Sequence, residues 1–536
     1  MPDGPAAAAD VRPKDVTSSA LAPFRVPVFR MLWFTWLAAN TTMWMNDVAS
    51  AWLMTSMAPS PLWVALVQSA STLPVFLLGL PSGAFADILD RRRYFMVTQF
   101  WVAGVAILLA TLVLLDAMTA PLLLALTFAN GIGLAMRWPV FSAIVPELVP
   151  RQQLPTALAM NGIAMNSSRI IGPLVAGAII AAAGSAYVFL LNAVLSIIAA
   201  FVIMRWRREH RESPLGRERL TSAMRVGLQY VWQSGRIRAV LLRVAVFFLN
   251  STALTALLPL LARSLPGGAA GTFTLLFAAM GAGAIVGALL MQRVRRLVPV
   301  QAVIFGGTAL QAAAAVVVAF APSIHFAVPA MFLAGAAWLA VANSLTVSVQ
   351  MALPDWVRAR GMSIFQMTLM GSTAAGAALW GQVATWTDIH QAILIAAASG
   401  TTLMFVVQRV VIDRGIEEDL TPSRAIKAPH AEAPPRSGRI MVAIEYRIDP
   451  ARTDEFMQVM QESRRSRMSQ GALEWQVIRD LYDPGRIIEQ VTDESWTEHL
   501  RRFDRVTQAD VALRDRKLAF HIGEEPPVVT RYLIEK

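Results

Sequence analysis

The chain has 536 residues, of which 55% are hydrophobic and only 15% charged, with a mean hydropathy of +0.50. A water-soluble chain of this length needs more charge to cover its surface, so much of its apolar surface must face something other than water. The absence of cysteine excludes disulfides, thiolate metal sites and cysteine nucleophiles. The formal charge of +11 reads as a membrane orientation signal rather than a nucleic-acid footprint, because the arginines cluster in short connections between apolar runs.

Residues 1–27 form an Ala/Pro-rich polar tail. The first apolar run, 28–54, is too long for a signal-peptide core and is expected to remain as a first transmembrane helix. Further runs of about 20 residues, enough to cross roughly 30 Å of hydrocarbon as helix, follow along the first three quarters. The expected spans are 28–54, 62–86, 94–115, 121–145, 154–182, 186–206, 238–262, 271–292, 299–321, 325–350, 359–386 and 389–412.

Connections after the even-numbered spans hold Arg91–Arg93, Arg151, a basic stretch from Arg205 to Arg243, Arg293/Arg295/Arg296, and Arg358/Arg360. Those after the odd-numbered spans hold almost nothing basic, Arg263 excepted. Basic short loops stay cytoplasmic, so both termini are expected inside a bacterial inner membrane. The linker 207–237 carries an amphipathic pattern at Met224, Val226, Leu228 and Val231, which predicts a helix lying on an anionic leaflet.

The chain repeats itself at an offset of 204 positions (287 − 83). That offset pairs Asn46 with Asn250, Gly79 with Gly283, Gly83 with Gly287, Arg91/Arg92 with Arg295/Arg296, Gly131 with Gly335, Pro150 with Pro354, Gly172 with Gly376 and Gly177 with Gly381. Two six-helix halves, 28–206 and 238–412, are the form such repeats take in secondary transporters, with the substrate path between them near the midplane. Shared features build the scaffold, and the small residues of Gly79-x-x-x-Gly83 and Gly283-x-x-x-Gly287 permit close helix approach. Charges, by contrast, are confined to one half: Asp47 aligns with Ser251, Asp87 with Met291, Arg137 with Val341 and Arg169 with Thr373.

A carboxylate at membrane depth is expensive and needs a partner or water. Asp47 is therefore either a protonatable coupling site or a structural acid paired with Arg137 or Arg169. Asp87 closes span 2 at the unfavourable end of the helix dipole, so a cation or a helix N-terminus is expected beside it. Met and Trp side chains (Trp33, Trp36, Met43, Trp44, Trp138, Met160, Met165, Trp338, Trp380) either line an adaptable cavity or anchor the helices in lipid.

The stretch Gly83-Ala-Phe-Ala-Asp87-Ile-Leu-Asp90-Arg91-Arg92 resembles the signature loop of the major facilitator superfamily, departing from it at Ile88 and Asp90. The resemblance implies that Gly83, Asp87, Asp90, Arg91 and Arg92 form a gating loop. Gly131-Ile-Gly133-Leu-Ala-Met-Arg137 resembles the span-4 arginine motif of that superfamily, which implies a part in proton transfer. Gly172-Pro173-Leu-Val-Ala-Gly177 resembles the span-5 motif of its exporters. With Phe141 to Pro150, the resemblance over residues 24–412 narrows to the transmembrane secretion-effector branch, which includes enterobactin-exporter and macrolide-efflux relatives.

After a Pro-rich linker at 413–438, residues 439–536 read as strand (440–448), helix (451–468), a hairpin at Asp483-Pro484-Gly485, two helical stretches (494–520) and a strand (528–534). That order predicts a small ferredoxin-like α+β domain. It resembles the dimeric α+β barrels related to antibiotic-biosynthesis monooxygenases in Ser495-Trp496-x-x-His499 and Arg505-Val-Thr507. No catalysis is carried across, and His499 is expected on the helix surface, in a domain that dimerises or senses a ligand.

The expectation is thus an all-α membrane bundle of twelve helices plus a ferredoxin-like domain. It is expected to work as a proton-coupled exporter of a small amphipathic drug or siderophore by alternating access, with no metal, cofactor or nucleic acid. The alternative is a membrane-anchored enzyme or sensor acting through 439–536.

Overall fold

The computed structural model describes residues 21–58, 60–150, 153–205, 220–266, 270–354, 356–410, 419–423, 425–426, 428–429 and 437–535. The apolar runs of the first half are helices α1 (Pro27–Met57), α2 (Pro61–Ile88), α3 (Arg91–Leu114), α4 (Ala120–Leu148), α5 (Leu154–Ala183) and α6 (Ser185–Met204). Helix α7 (Leu220–Gln233) lies in the linker. The second half holds α8 (Gly235–Ser264), α9 (Ala270–Leu297), α10 (Val300–Ala319), α11 (Ile324–Met351), α12 (Arg358–Trp386) and α13 (Ile389–Val410). Proline in the first turn starts α1, α2, α4 and α5, where its missing N–H has no intrahelical partner to lose. Gly184, at φ +98°, turns the chain from α5 into α6 in a single residue.

Among the described residues, ten of these helices are long and apolar enough to cross a bilayer by composition. The two expected spans that fall short, α1 and α12, are no shorter, at 31 and 29 residues. They carry Asn40, Thr41, Thr42, Asn46 and Asp47, and Gln366, Ser372 and Thr373, so their polarity belongs to protein-facing surface. Both stand where the halves meet: α1 packs on α5 and touches α8, while α12 packs on α2.

The 204-residue repeat is visible as contact geometry. A side chain at Gly172 of α5 would collide with Trp44 and the Thr41 carbonyl of α1. Its repeat mate Gly376 of α12 meets the Leu249 backbone of α8, the position corresponding to Met45. Gly177 and Gly381 instead lie across the boundary between halves, against Thr274 of α9 and Leu62/Ala65 of α2. The same small residues thus serve packing within each half and between them.

The ends of the bundle differ. At the face opposite the basic connections, one hydrophobic core runs through both halves and includes Met54, Phe189, Leu257, Phe273 and Met331. At the basic face there are two cores. One gathers Phe29, Leu32, Phe95 and Ile144 of the first half, the other Phe247, Leu345, Leu353 and Phe365 of the second. The bundle is therefore sealed at the far face and divided at the basic face. Arg263, the one basic residue out of pattern, belongs to the seal: its Nη1 donates to the Thr55 carbonyl at 2.7 Å and its guanidinium lies 5.0 Å from the Trp52 ring.

The C-terminal domain has four antiparallel strands, β1 (Arg439–Arg447), β2 (Glu474–Arg479), β3 (Arg486–Asp493) and β4 (Val528–Ile534), in the order β2-β3-β1-β4. Helices α14 (Thr453–Ser469), α15 (Trp496–Asp504) and α16 (Gln508–Leu518) complete a β-α-β-β-α-α-β chain order. The preceding segment is partly pinned down, since Pro422 bridges Thr507 and Ser423 N–H donates to the Val506 carbonyl.

Helix α7 does not present its whole apolar face to lipid. Val226 and Val231 are buried, with Gly227 against Arg360 of α12 and Val226 against Gly471 of the domain. Leu228 and Trp232 alone among the described apolar residues of its C-terminal half stay well exposed. The amphipathic pattern reports a joint between bundle and domain: Arg225 bonds Glu494 at 2.7 Å, and Gln229 donates to the Ala472 carbonyl.

Candidate functional site

Asp47 lies on α1 three residues beyond Trp44, on the same helix face. Among the described residues it has no hydrogen-bond or ion-pair partner, so neither expected arginine is paired with it. Arg169 of α5 is held between two indoles instead, 5.3 Å from the Trp44 ring of the first half and 3.9 Å from the Trp338 ring of the second. Cation–π contact of this kind stabilises a guanidinium away from water without consuming a carboxylate. The indole Nε1 of Trp44 is also buried without a partner.

Arg137 is elsewhere. Its guanidinium sits 5.6 Å from the Trp36 ring, eleven residues back along α1 from Asp47 (47 − 36), roughly 16 Å at helical rise. Of the two arginines proposed as partners, only Arg169 shares the depth of Asp47. Pro173 lacks the N–H that would bond the Arg169 carbonyl, so α5 is weakened at the turn bearing this residue.

In the predicted gating loop, Asp90 caps α3 by accepting from the Arg93 N–H at 2.9 Å. Arg92 donates to the Met204 carbonyl at the end of α6, a favourable place for a cation. The side chains of Asp87 and Arg91 and the surroundings of Gly83 lie outside the described residues, as does the side chain of Trp138. The other aromatics divide: Trp33 donates to the Met160 carbonyl and Trp380 to the Leu249 carbonyl, both as packing within one half.

Buried polar atoms without a partner among the described residues gather in the first half: both amide atoms of Asn46 and Gln99, the hydroxyls of Ser50 and Thr127, Asn130 Oδ1 and Asn192 Nδ2. The repeat mate of Asn46, by contrast, is satisfied. Asn250 donates to Val246 and accepts from Ser399. The first half thus combines the unpaired acid, the two arginines and most of this unsatisfied polarity.

With this geometry in place, the chain can be set beside known proteins. The sequence profile of the transmembrane secretion effector family matches residues 18–536. The chain belongs to that family. It is a transporter of the major facilitator type, a multi-pass membrane protein whose relatives move small molecules across the bilayer. It is 26% identical over 424 residues to the multidrug efflux pump Tap of Mycolicibacterium fortuitum, covering 74% of this chain and 98% of that one. It is 22% identical over 258 residues to the staphyloferrin A transporter of Staphylococcus aureus, covering 48% of this chain and 64% of that one. In fold it is similar to a bacterial homologue of the human lysosomal transporter Spinster, solved inward-facing and occupied, with a TM-score of 0.57 at 14% identity over 72% of this chain and 97% of that one.

The domain holds a second group of buried charges, and here the expectation for His499 is corrected. His499 is 3% exposed because α15 lies on the sheet with Glu498, His499 and Arg502 facing inward. Its Nδ1 lies 2.7 Å from Asp493 Oδ2, and its Nε2 accepts from Arg531 Nε at 3.1 Å. Arginine can only donate, so the imidazole proton is on Nδ1, facing Asp493. Arg502 also donates to both Asp493 oxygens, at 2.8 and 2.9 Å. Burial pushes Asp493 up, but Arg502 and the His499 hydrogen bond outweigh it and hold the carboxyl below its ordinary value.

Glu489 of β3 is the other centre. It accepts from Lys517 at 3.1 Å, Ser463 at 2.7 Å, Trp475 at 3.0 Å and Tyr446 at 3.3 Å, with Arg467 at 3.5 Å. Burial again pushes the carboxyl up, and the charges of Lys517 and Arg467 reverse it, so Glu489 lies well below the usual carboxylate range. Among the described residues no cluster of three or more His, Asp or Glu could hold a metal ion.

Proposed function

We propose that the protein exports a small amphipathic molecule, a drug or a siderophore, in exchange for protons at Asp47. In this reading the basic face is cytoplasmic in a bacterial inner membrane, both termini lie on that side, and the bundle stands in its inward-facing state. The observation that carries the reading is the solitary carboxylate of Asp47, one helical turn beyond Trp44, the indole that with Trp338 engages Arg169. An unpaired acid at this depth is neutralised either by a proton or by a donor group of a substrate, and the two exclude each other. Mutual exclusion at one site is the condition for antiport.

Trp44 and Trp338, one from each half, offer flat apolar faces to an amphipathic molecule, and Arg169 between them ties site occupancy to the relation of the halves. Pro173 and Gly177 supply the local weakness and close contact that let α5 rock, and the loop of Gly83, Asp87, Asp90, Arg91 and Arg92 gates the basic face. Arg137 at the depth of Trp36 stands on the route from that face to Asp47. The multidrug and siderophore relatives support the substrate class. Homodimerisation through 439–536 belongs to the same proposal, supported by the exposed Val528, Tyr532 and Ile534 on the edge strand β4.

The test is pH-gradient-driven accumulation of ethidium in inside-out proteoliposomes. Asp47→Asn is expected to reduce the gradient-dependent component at least about tenfold, while the melting temperature is kept. Undiminished accumulation would remove Asp47 from the coupling role.

A further inference from the structure

Between the sheet and helices α14–α16 of the C-terminal domain lies a partly open cavity of about 270 Å³. Val442, Ile444 and Val491 of the sheet and Phe503 and Leu513 of the helices make its walls largely apolar. Ligand cavities characteristically combine such walls with a few convergent polar groups.

The charges around the cavity do not balance. Glu489 is shared by Lys517 and Arg467, and Asp493 by Arg502 and His499, both carboxylates just behind the wall. Asp510, which lines the cavity, accepts from Thr507 and Ser466, and the lining Arg514 pairs with Asp515. Arg531, which also lines the cavity, has no carboxylate among the described residues. Its Nε is engaged by His499, and its two terminal nitrogens have no partner there. Arg502 uses one terminal nitrogen for Asp493, and its buried Nε is unsatisfied. Two guanidiniums with unengaged donors therefore flank the same Asp493–His499 pair on the wall of an apolar chamber.

We infer that this cavity is a binding site, separate from the transport path, for a small organic carboxylate with an apolar body. The anion would take the fork of Arg531, which matches a carboxylate in plane and spacing, and the body would fill the space between sheet and helices. The same helix carries the site to the bundle. Arg505, one turn beyond Arg502, bonds Glu498 at 3.1 Å and the Gln470 carbonyl at 2.6 Å. Its guanidinium lies 5.3 Å from the ring of Trp356 in the connection between α11 and α12. Trp356 in turn packs edge-on against Tyr230 of α7, with ring centroids 5.6 Å apart. A ligand that orders α15 thereby orders the joint on which α12 begins, so the site is placed to regulate rather than to transport.

The experiment is titration calorimetry on the full-length protein in nanodiscs, with salicylate and decanoate as probes and salicylamide and decanamide as uncharged counterparts. Saturable binding is expected for at least one acid, weaker for its amide by about 10- to 100-fold, the worth of a hydrogen-bonded charge. Arg531→Gln should weaken the acid to the same extent, Arg531→Lys should restore part of it, and Asp47→Asn should leave it unchanged. Leu513→Trp, which fills the cavity from a half-buried position, should abolish binding and decides the matter if Arg531→Gln does not fold. The inference is overturned if neither acid binds saturably, if acid and amide bind alike, if Arg531→Gln binds like wild type, or if Asp47→Asn abolishes binding.

Discussion

The transmembrane bundle and the C-terminal domain both bury ionisable side chains, and they treat them in opposite ways. In the domain, Glu489 meets two cations and three further donors, and Asp493 meets an arginine and a histidine. In the bundle, Asp47 meets no partner among the described residues, and Arg137 and Arg169 rest on indole faces. Carboxylates met by several cations and donors are architecture, because removing either side strands the other in a low dielectric. A solitary carboxylate contributes little to holding the fold together, which leaves it free to change its protonation state or its partner.

The contrast can be broken by substitution. Glu489→Gln strands Lys517 and Arg467 and is expected to destabilise the domain by about 3–5 kcal/mol, seen as a separate early melting transition. Acid should do the same to the wild type. Glu489 and Asp493 both lie below their ordinary values of 4.5 and 3.8 in the fold. Their contribution is therefore fully present above about pH 4.5 and is lost as the pH falls through the folded values. Melting of the domain should be flat from pH 7 to 5 and fall steeply below 4, whereas an unchanged transition at pH 3 would show that the network is not what stabilises it. The smallest effect belongs to the bundle: Asp47→Asn should alter its stability by less than about 1 kcal/mol, since no native partner is lost.

Much of this was legible in the chain. Apolar run lengths located the helices to within a few residues, and the 204-residue offset anticipated that Gly172 and Gly376 would make equivalent contacts in the two halves. The order of elements after residue 439 anticipated a small antiparallel sheet with helices. Depth was not read from the pattern, which offered Arg137 and Arg169 alike as partners of Asp47. Helices α1 and α4 run in opposite directions, which places Asp47 ten residues from the far end of α1 (57 − 47) and Arg137 seventeen from that of α4 (137 − 120). That is seven residues, about 10 Å, of difference in depth, and Arg137 packs on the Trp36 ring instead. Arg263 looked like an exception to the charge rule because sequence does not distinguish an orientation signal from a latch, and the latch needs Thr55 from 208 positions away.

His499 could not be read because its burial depends on partners from other elements. A helix reading Trp496-Thr-Glu498-His499-Leu-Arg501-Arg502 looks solvated until Asp493 and Arg531, 6 and 32 positions away, close around it. The amphipathic α7 misled in a related way: its apolar stripe predicts burial but not against what, and a protein joint supplied the cover a leaflet was expected to give.

The most direct test of the account is proton release on substrate binding. Ethidium is added to detergent-solubilised protein in weakly buffered solution near neutral pH, and the pH is recorded. If proton and substrate exclude each other at Asp47, the wild type releases up to one proton per bound molecule and Asp47→Asn releases none while still binding. Substrate binding without proton release in the wild type, or equal release from Asp47→Asn, would contradict it.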